Sequence, residues 1–264
     1  MHIKGNVQSN VRVTVVDRAT GKVKRIHHTR EHNTVTNIDK LLDLMDGSAT
    51  GHLDANSDII IKDDGGSTVA SVLSCASGYP TTPASGSVTW KWEDISTDTY
   101  NPDDVYLQTS GGTVVAEALA VGWADKTASE NWFFEWDLSI SSGDSNFDDA
   151  GFNGMLDCVV NRSTPGGQHW DGTEAGGSTN MHIKVYDGTP GSLEFSLATT
   201  ADTVRTTTSL KWIFVKSPVS ATWGRVEVRN EAQGNLLYDD DITNDTQTTS
   251  DTFTYEFTVT FADS

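Results

Sequence analysis

Asn131-Trp-Phe-Phe-Glu-Trp-Asp-Leu-Ser-Ile140 carries the pattern that decides the fold. Trp132, Phe134, Trp136, Leu138 and Ile140 share one face, and Glu135, Asp137, Ser139 and Ser141 share the other. A period of two is that of a strand with one side in a core and one in water. Thr252-Phe-Thr-Tyr-Glu-Phe-Thr-Val-Thr-Phe261 does the same, with Phe253, Tyr255, Phe257, Val259 and Phe261 inward and Thr254, Glu256, Thr258 and Thr260 outward.

These two segments close two stretches that read as divergent copies of one unit, residues 33–142 and 151–264. Ile38–Asp46, Asp58–Gly65 and Val88-Thr-Trp-Lys-Trp92 precede the first closing strand. Phe152–Val160, Met181–Gly188 and Leu210-Lys-Trp-Ile-Phe214 precede the second, in the same order. Internal repetition is sought first because it changes every later reading. Strands are expected at 58–63, 68–73, 87–95, 104–109, 113–120 and 131–141 in the first copy. In the second they are expected at 180–187, 193–197, 209–216, 224–230, 235–242 and 252–261. Ser110-Gly-Gly112 marks a hairpin. Short strands with turns every eight to twelve residues indicate an all-β fold of two tandem antiparallel sandwiches, each with one short helix. Residues 143–150 read as a linker.

Ahead of the first copy, Val11–Asp17 and Lys22–Ile26 flank the turn Arg18-Ala-Thr-Gly21, so residues 1–32 form a hairpin. Ile38, Leu41, Leu42 and Met45 then recur at helical spacing, with Thr36 or Asn37 as cap and Gly47 as terminator. Charge singles this region out. Residues 1–40 hold eight Lys or Arg against three Asp or Glu, a balance of +5, whereas the other 224 residues hold ten against 34, a balance of −24. Residues 1–32 are therefore expected to be a docking arm that leaves both sandwiches folded when removed, with Arg12, Arg18, Lys22, Lys24, Arg25 and Arg30 meeting an acidic partner. The acidic remainder argues against nucleic acid, whose phosphates it would repel. No run of 18 apolar residues exists to cross a membrane as a helix. Met1-His-Ile-Lys-Gly5 lacks the apolar core of a secretory leader, so assembly in a cytoplasm is expected. Many Thr and Ser with few Lys is a composition suited to high salt.

Few residues carry chemistry. His27, His28 and His32 lack the spacing of a helical metal pair, and His169 and His182 stand alone. Asp54-Ala-Asn-Ser-Asp58 and Asp144-Ser-Asn-Phe-Asp148 open like calcium loops but lack the later Gly and Glu. Asp63-Asp64 and Asp239-Asp-Asp241 read as turn residues. Cys75 and Cys158 fall at non-equivalent places in the copies and read as small buried thiols, not a bridge. There is no nucleophile elbow, phosphate-cradling glycine loop or Cys–His pair, and among 37 acids a glycosidase pair is uninformative. No catalysis, metal or cofactor is expected. Trp90, Trp92, Trp132 and Trp136 are core residues by their alternation. Trp123, Trp170 and Trp223 sit in turn-like contexts, available to a host glycan or to an interface.

His32-Asn-Thr-Val-Thr-Asn37, followed by an Ile/Leu helix ending at Asp46-Gly47, resembles the opening of virion structural proteins of tailed bacteriophages and haloarchaeal tailed viruses. Lys126-Thr-Ala-Ser-Glu-Asn-Trp132 matches their closing strand. Ile61-Lys-Asp-Asp-Gly-Gly66 departs from their usual Gly-rich turn. The resemblance implies a non-enzymatic component of a particle assembled in the host cytoplasm, a head-decorating or turret protein bound to other capsid proteins. A tail component (baseplate, tube or fibre) and a carbohydrate-binding or adhesive module are the alternatives. The duplication further suggests a homo-oligomer, with three chains presenting six modules around a ring.

Self-repulsion among the carboxylates predicts that salt stabilises the fold. The melting temperature should rise between about 0.1 M and 2 M potassium chloride, as the Debye length falls from roughly 10 Å to a few Å. A flat or falling profile in scanning calorimetry is the contrary result.

Overall fold

Strand β1 (His2–Asp17) lies between the two closing strands, β8 (Glu130–Ser142) and β13 (Asn235–Asp263), in a computed structural model of the chain. The structure describes residues 2–31, 35–46, 52–142, 155–156, 181–188, 191–199, 204–230 and 235–263. The fold is all-β and sandwich-like, with one helix of more than one turn among the described residues. Gly5, Val7, Ser9, Val11, Val13 and Val15 face the core along β1, so the period of two runs through its polar first half as well.

The remaining elements are β2 (Val23–Glu31), α1 (Val35–Asp46), β3 (Asp58–Lys62), β4 (Thr68–Val72), β5 (Ser87–Asp94), β6 (Asp104–Gln108), β7 (Val114–Ala118), β9 (Met181–Tyr186), β10 (Leu193–Ala198), β11 (Val204–Arg205) and β12 (Ser209–Asn230). One sheet has the order β10-β9-β12-β13-β1-β8-β5, with β11 on β12 and β2 on β1; a second has the order β4-β3-β6-β7. Trp90 Nε1 donates to the Leu53 carbonyl at 2.6 Å and Trp92 Nε1 to the Ser57 carbonyl at 2.8 Å, tying β5 to the segment that leads into β3. Helix α1 supplies Ile38 and Leu41 to an apolar space shared with Val7, Leu107 and Trp136.

The two halves repeat one pairing scheme. In the first, β5 meets β8 with Val88 opposite Leu138, Trp90 opposite Trp136 and Trp92 opposite Phe134. In the second, β12 meets β13 with Leu210 opposite Val259, Trp212 opposite Phe257 and Phe214 opposite Tyr255. The order β4-β3-β6-β7 recurs as β10, β9, the end of β12 and the start of β13. Ile59 opposite Leu107 corresponds to Ile183 opposite Val228. This register is one residue off the match of Asp58–Gly65 to Met181–Gly188, because that match placed buried Ile59 on half-exposed His182.

β1 runs antiparallel to β8 and parallel to β13. The equivalent strands β8 and β13 therefore point in opposite directions across it. The series β5-β8-β1-β13-β12 is palindromic, and the two half-sheets are related by a local half-turn normal to the sheet.

Several expectations change. Within the expected arm 1–32, the described residues 2–31 pair as a hairpin of β1 and β2, yet they are no detachable arm, because β1 is hydrogen-bonded on both edges within the sheet. The two sandwiches share this sheet and are not independent tandem bodies. Strands expected separately at 209–216 and 224–230, and at 235–242 and 252–261, are continuous. The intervening residues form bulges between Lys216 and Val219, Val219 and Ala221, and Trp223 and Arg225 instead of turns. Pro218 sits in the first of these, where a missing N–H costs no ladder bond. α1 begins at Val35, which puts Thr36 and Asn37 in its first turn and not at its cap; Gly47 and the linker 143–150 lie outside the described residues.

Deleting residues 2–17 should abolish the cooperative thermal transition followed by near-ultraviolet circular dichroism. Trp136→Ala and its counterpart Phe257→Ala, both fully buried, should each lower unfolding free energy in denaturant by about 3–5 kcal/mol.

Candidate functional site: a buried ionic and aromatic cluster

Glu130 extends the inward stripe of β8 by one position beyond Trp132, so a carboxylate points into an apolar layer. A buried charge is tolerated only when paired and hydrogen-bonded. Arg25 donates both Nη atoms to Glu130 at 2.6 and 2.9 Å, and Lys24 Nζ donates at 2.8 Å. The Thr127 N–H adds a bond at 3.1 Å, and Trp132 Nε1 lies 3.5 Å away. Burial alone would raise the pKa of Glu130, but these donors together hold it well below the usual carboxylate range.

Asp94, on the neighbouring β5, is held in the same way. Tyr100 Oη donates to it at 2.7 Å, and Lys126 Nζ lies 3.6 Å away while donating to the Ser96 and Asp98 carbonyls at 2.8 and 3.0 Å. Burial opposes ionisation of Asp94, but bonds from Ser96 and Tyr100 outweigh it and its pKa is lowered. Burial and Asp94 push the Tyr100 phenol far above its ordinary range. Arg18 spans the two carboxylate environments, donating Nη2 to the Ser96 carbonyl and, at 3.3 Å, to the Glu130 carbonyl.

Aromatic rings seal the cluster. His27 stacks on Trp123 with centroids 5.7 Å apart, and Tyr100 meets Trp132 edge-on at 5.6 Å. Burial and the adjacent Arg25 lower the His27 pKa. A second ladder crosses the other half: Arg225 binds Asp239 at 2.8 and 2.9 Å, Arg229 binds Glu227 at 2.8 Å, and Tyr186 Oη donates to Glu227 at 3.1 Å. Both Glu130 and Glu227 are held ionised, whereas a general acid at neutral pH needs a raised pKa. The arrangement suits cross-strand fastening.

The cations assigned to docking are largely committed here. Arg12 pairs with Glu135 at 2.5 Å, and Lys91 approaches the other oxygen of Glu135 at 2.6 Å. Arg18, Lys24 and Arg25 serve the cluster, Lys22 is exposed, and the side chain of Arg30 lies outside the described residues. His27 and His28 project to opposite faces of β2 and cannot converge on one ion; His32 and His169 lie outside the described residues. His182 stands on β9, with its Nδ1 buried and unpaired. Trp123 and Trp223, each 6% exposed, offer no face to a sugar: His27 covers one and Phe253 meets the other edge-on at 4.9 Å. Trp170 lies outside the described residues. Asp54, Asp58 and Asp63 accept backbone N–H bonds from Asn56, Ser74 and Ser67, the work of turn residues. The run Asp144–Asp148 and Cys158 lie outside the described residues. Cys75 is half-buried 3.5 Å from Ser57 Oγ, and burial pushes its thiol up to about 11. Among the described residues no three or more His, Cys, Asp or Glu group to hold a metal.

Sequence reasoning missed Glu130, Asp94, Tyr100 and Lys126. The first was legible: parity places residue 130 on the same face as Trp132 and Phe134, and a carboxylate there demands a cation.

No family model matches the chain, and no curated protein matches it. Among solved structures, that of S. pombe Pct1 RNA triphosphatase in complex with the Spt5 CTD aligns over 89% of this chain and 68% of that one at 9% identity. Its TM-score of 0.09 carries no argument.

Glu130→Gln should lower stability by about 2–3 kcal/mol, the worth of charge-assisted bonds in a buried setting. Because the folded pKa of Glu130 is depressed, its contribution is complete above the unfolded value near 4.5 and is lost as pH falls toward the lower folded value. Denaturant melts of parent and variant should therefore differ at pH 7 and converge progressively below about pH 4.5.

Proposed function

We propose that this chain is a non-enzymatic structural component of a tailed-virus particle, displayed on the capsid exterior as a head-decorating or turret protein. The observation that carries the reading is the five-strand series β5-β8-β1-β13-β12, which makes one continuous ladder of both halves. A chain whose buried Glu130, Asp94 and Glu227 are fastened by its own cations is built to persist as a scaffold. The segment His32–Asn37 and the strand entered from Lys126 to Trp132 support a virion assignment through their resemblance to tailed-virus proteins. The balance of −24 outside residues 1–40 supports a particle from a salt-rich setting. Its partners would be other capsid proteins, met after synthesis in the host cytoplasm.

The local half-turn bears on the oligomer. Three chains presenting six equivalent modules around a ring, each covering two neighbouring places, need each chain's copies to be related by a sixth of a turn. The opposed directions of β8 and β13 give a half-turn instead, so the six-module ring is not part of this proposal.

Gold-labelled antibody against the chain, applied to intact particles and viewed by electron microscopy, should decorate heads. Label confined to tails moves the protein to the tail. Absence from purified particles by mass spectrometry overturns the virion reading.

A further inference from the structure

The two halves differ at one place where their pairing says they should agree. β4 sets Ala70 opposite Ile61, and the equivalent strand β10 sets Phe195 opposite Val185. Phe195 fills its half: its ring meets Phe253 edge-on at 5.5 Å, and Lys216 Nζ lies 5.2 Å above it. In the first half, where that ring is missing, a groove of about 350 Å3 lies between β4 and β5. Where Lys216 faces Phe253 in the second half, Asp94 faces Trp132 in the first, and the buried Lys126 that serves Asp94 bonds the Ser96 and Asp98 carbonyls, not the carboxylates of Glu93 and Asp98. Glu93 and Asp98 line the groove instead, and Leu73 and Ile95 stand on it 67% and 60% exposed.

The outer edge of β5 is already met at Thr89 and Lys91 by the Thr81 and Ala76 N–H groups, so an occupant is held by its side chains and must bring apolar groups and positive charge on a slender extended segment. The same chain carries such a segment. β2 pairs only with β1 among the described residues. Its Val23 and Ile26 are 58% and 57% exposed, and Lys22 beside them is exposed. We infer that β2 of one copy docks in the groove between β4 and β5 of a second copy, placing Val23 and Ile26 against Leu73 and Ile95 and Lys22 near the acidic lining.

β2 and β5 lie on opposite flanks of the pair β1–β8, so the contact joins unlike surfaces. Each copy then keeps a free groove at one end and a free β2 at the other. Association is head-to-tail and closes into a ring or runs on as a filament. The contact is read from this chain alone and does not rest on the particle assignment.

The test uses two variants of the full chain, altered only at exposed positions: Val23→Asp with Ile26→Asp, and Leu73→Asp with Ile95→Asp. Far-ultraviolet circular dichroism checks that each keeps the parent fold. In sedimentation velocity at about 0.15 M salt, where the Debye length is about 8 Å and repulsion between chains of net charge −19 is screened, the parent should associate with rising concentration and each variant alone should remain monomeric. Mixed in equal amounts, they should form a one-to-one heterodimer and nothing larger, because one intact β2 then faces one intact groove. A monomeric parent, a variant that still self-associates, or a mixture that stays monomeric would each overturn the inference.

Discussion

β1 has to satisfy two closing strands at once, and the composition of its inward face follows from that demand. Trp136 reaches across from β8 and donates Nε1 to Ser9 Oγ, so a small hydroxyl on the inward face satisfies a buried indole N–H. On the other edge a Cβ at Gly5 would sit 3.0 Å from the Phe261 ring. Gly5 and Ser9 weaken the strand signal of residues 2–10, yet they are what lets aromatic strands from both halves approach one backbone. Val11, Val13 and Val15 then supply ordinary apolar burial where β2 replaces β13 as the partner.

The charge pattern has a related origin. Seven cations in residues 1–32 suggest an outward-facing basic arm when counted along the chain. In the fold, Arg12 answers Glu135, and Lys24 and Arg25 answer Glu130. An acidic chain that buries a carboxylate at a sheet corner must bring cations to it, and β2 delivers them because β1 carries the hairpin into the sheet. The local excess of +5 is in large part an internal counter-charge. Among the cations whose side chains are described, Lys22 is exposed and has no such internal partner.

Much of the architecture was readable. The alternation of residues 132–140 and 253–261 gave both closing strands with the correct inward faces, and their equivalence survives as a shared pairing register. Less readable was whether polar stretches turn or bulge. Ser217–Thr222 and Thr243–Ser250 carry Pro, Ser, Thr and Asp, residues that suit a turn as well as a bulged ladder, and only pairing partners distant in sequence decide between them. Trp123 and Trp223 misled for a similar reason. Their neighbours are turn-like, but the rings that cover them come from β2 and β13, far along the chain. The groove was invisible because its cause is a single small residue, Ala70, whose importance appears only beside Phe195.

The parallel pairing of β1 with β13 fixes an order of events during synthesis. β2 can pair with β1 almost at once, and β8 can follow when about half the chain has emerged. The edge at His2–Val7 meets its other partner only when Thr258–Asp263 leaves the ribosome. At roughly 5–20 residues per second, that edge stays unpaired for on the order of ten seconds or more. Through that interval each nascent chain displays an adhesive strand edge, so crowded polysomes favour pairing between neighbouring chains. The fold thus carries a kinetic hazard proportional to its own sequence separation, and a chain stopped short of residue 258 would carry that open edge indefinitely.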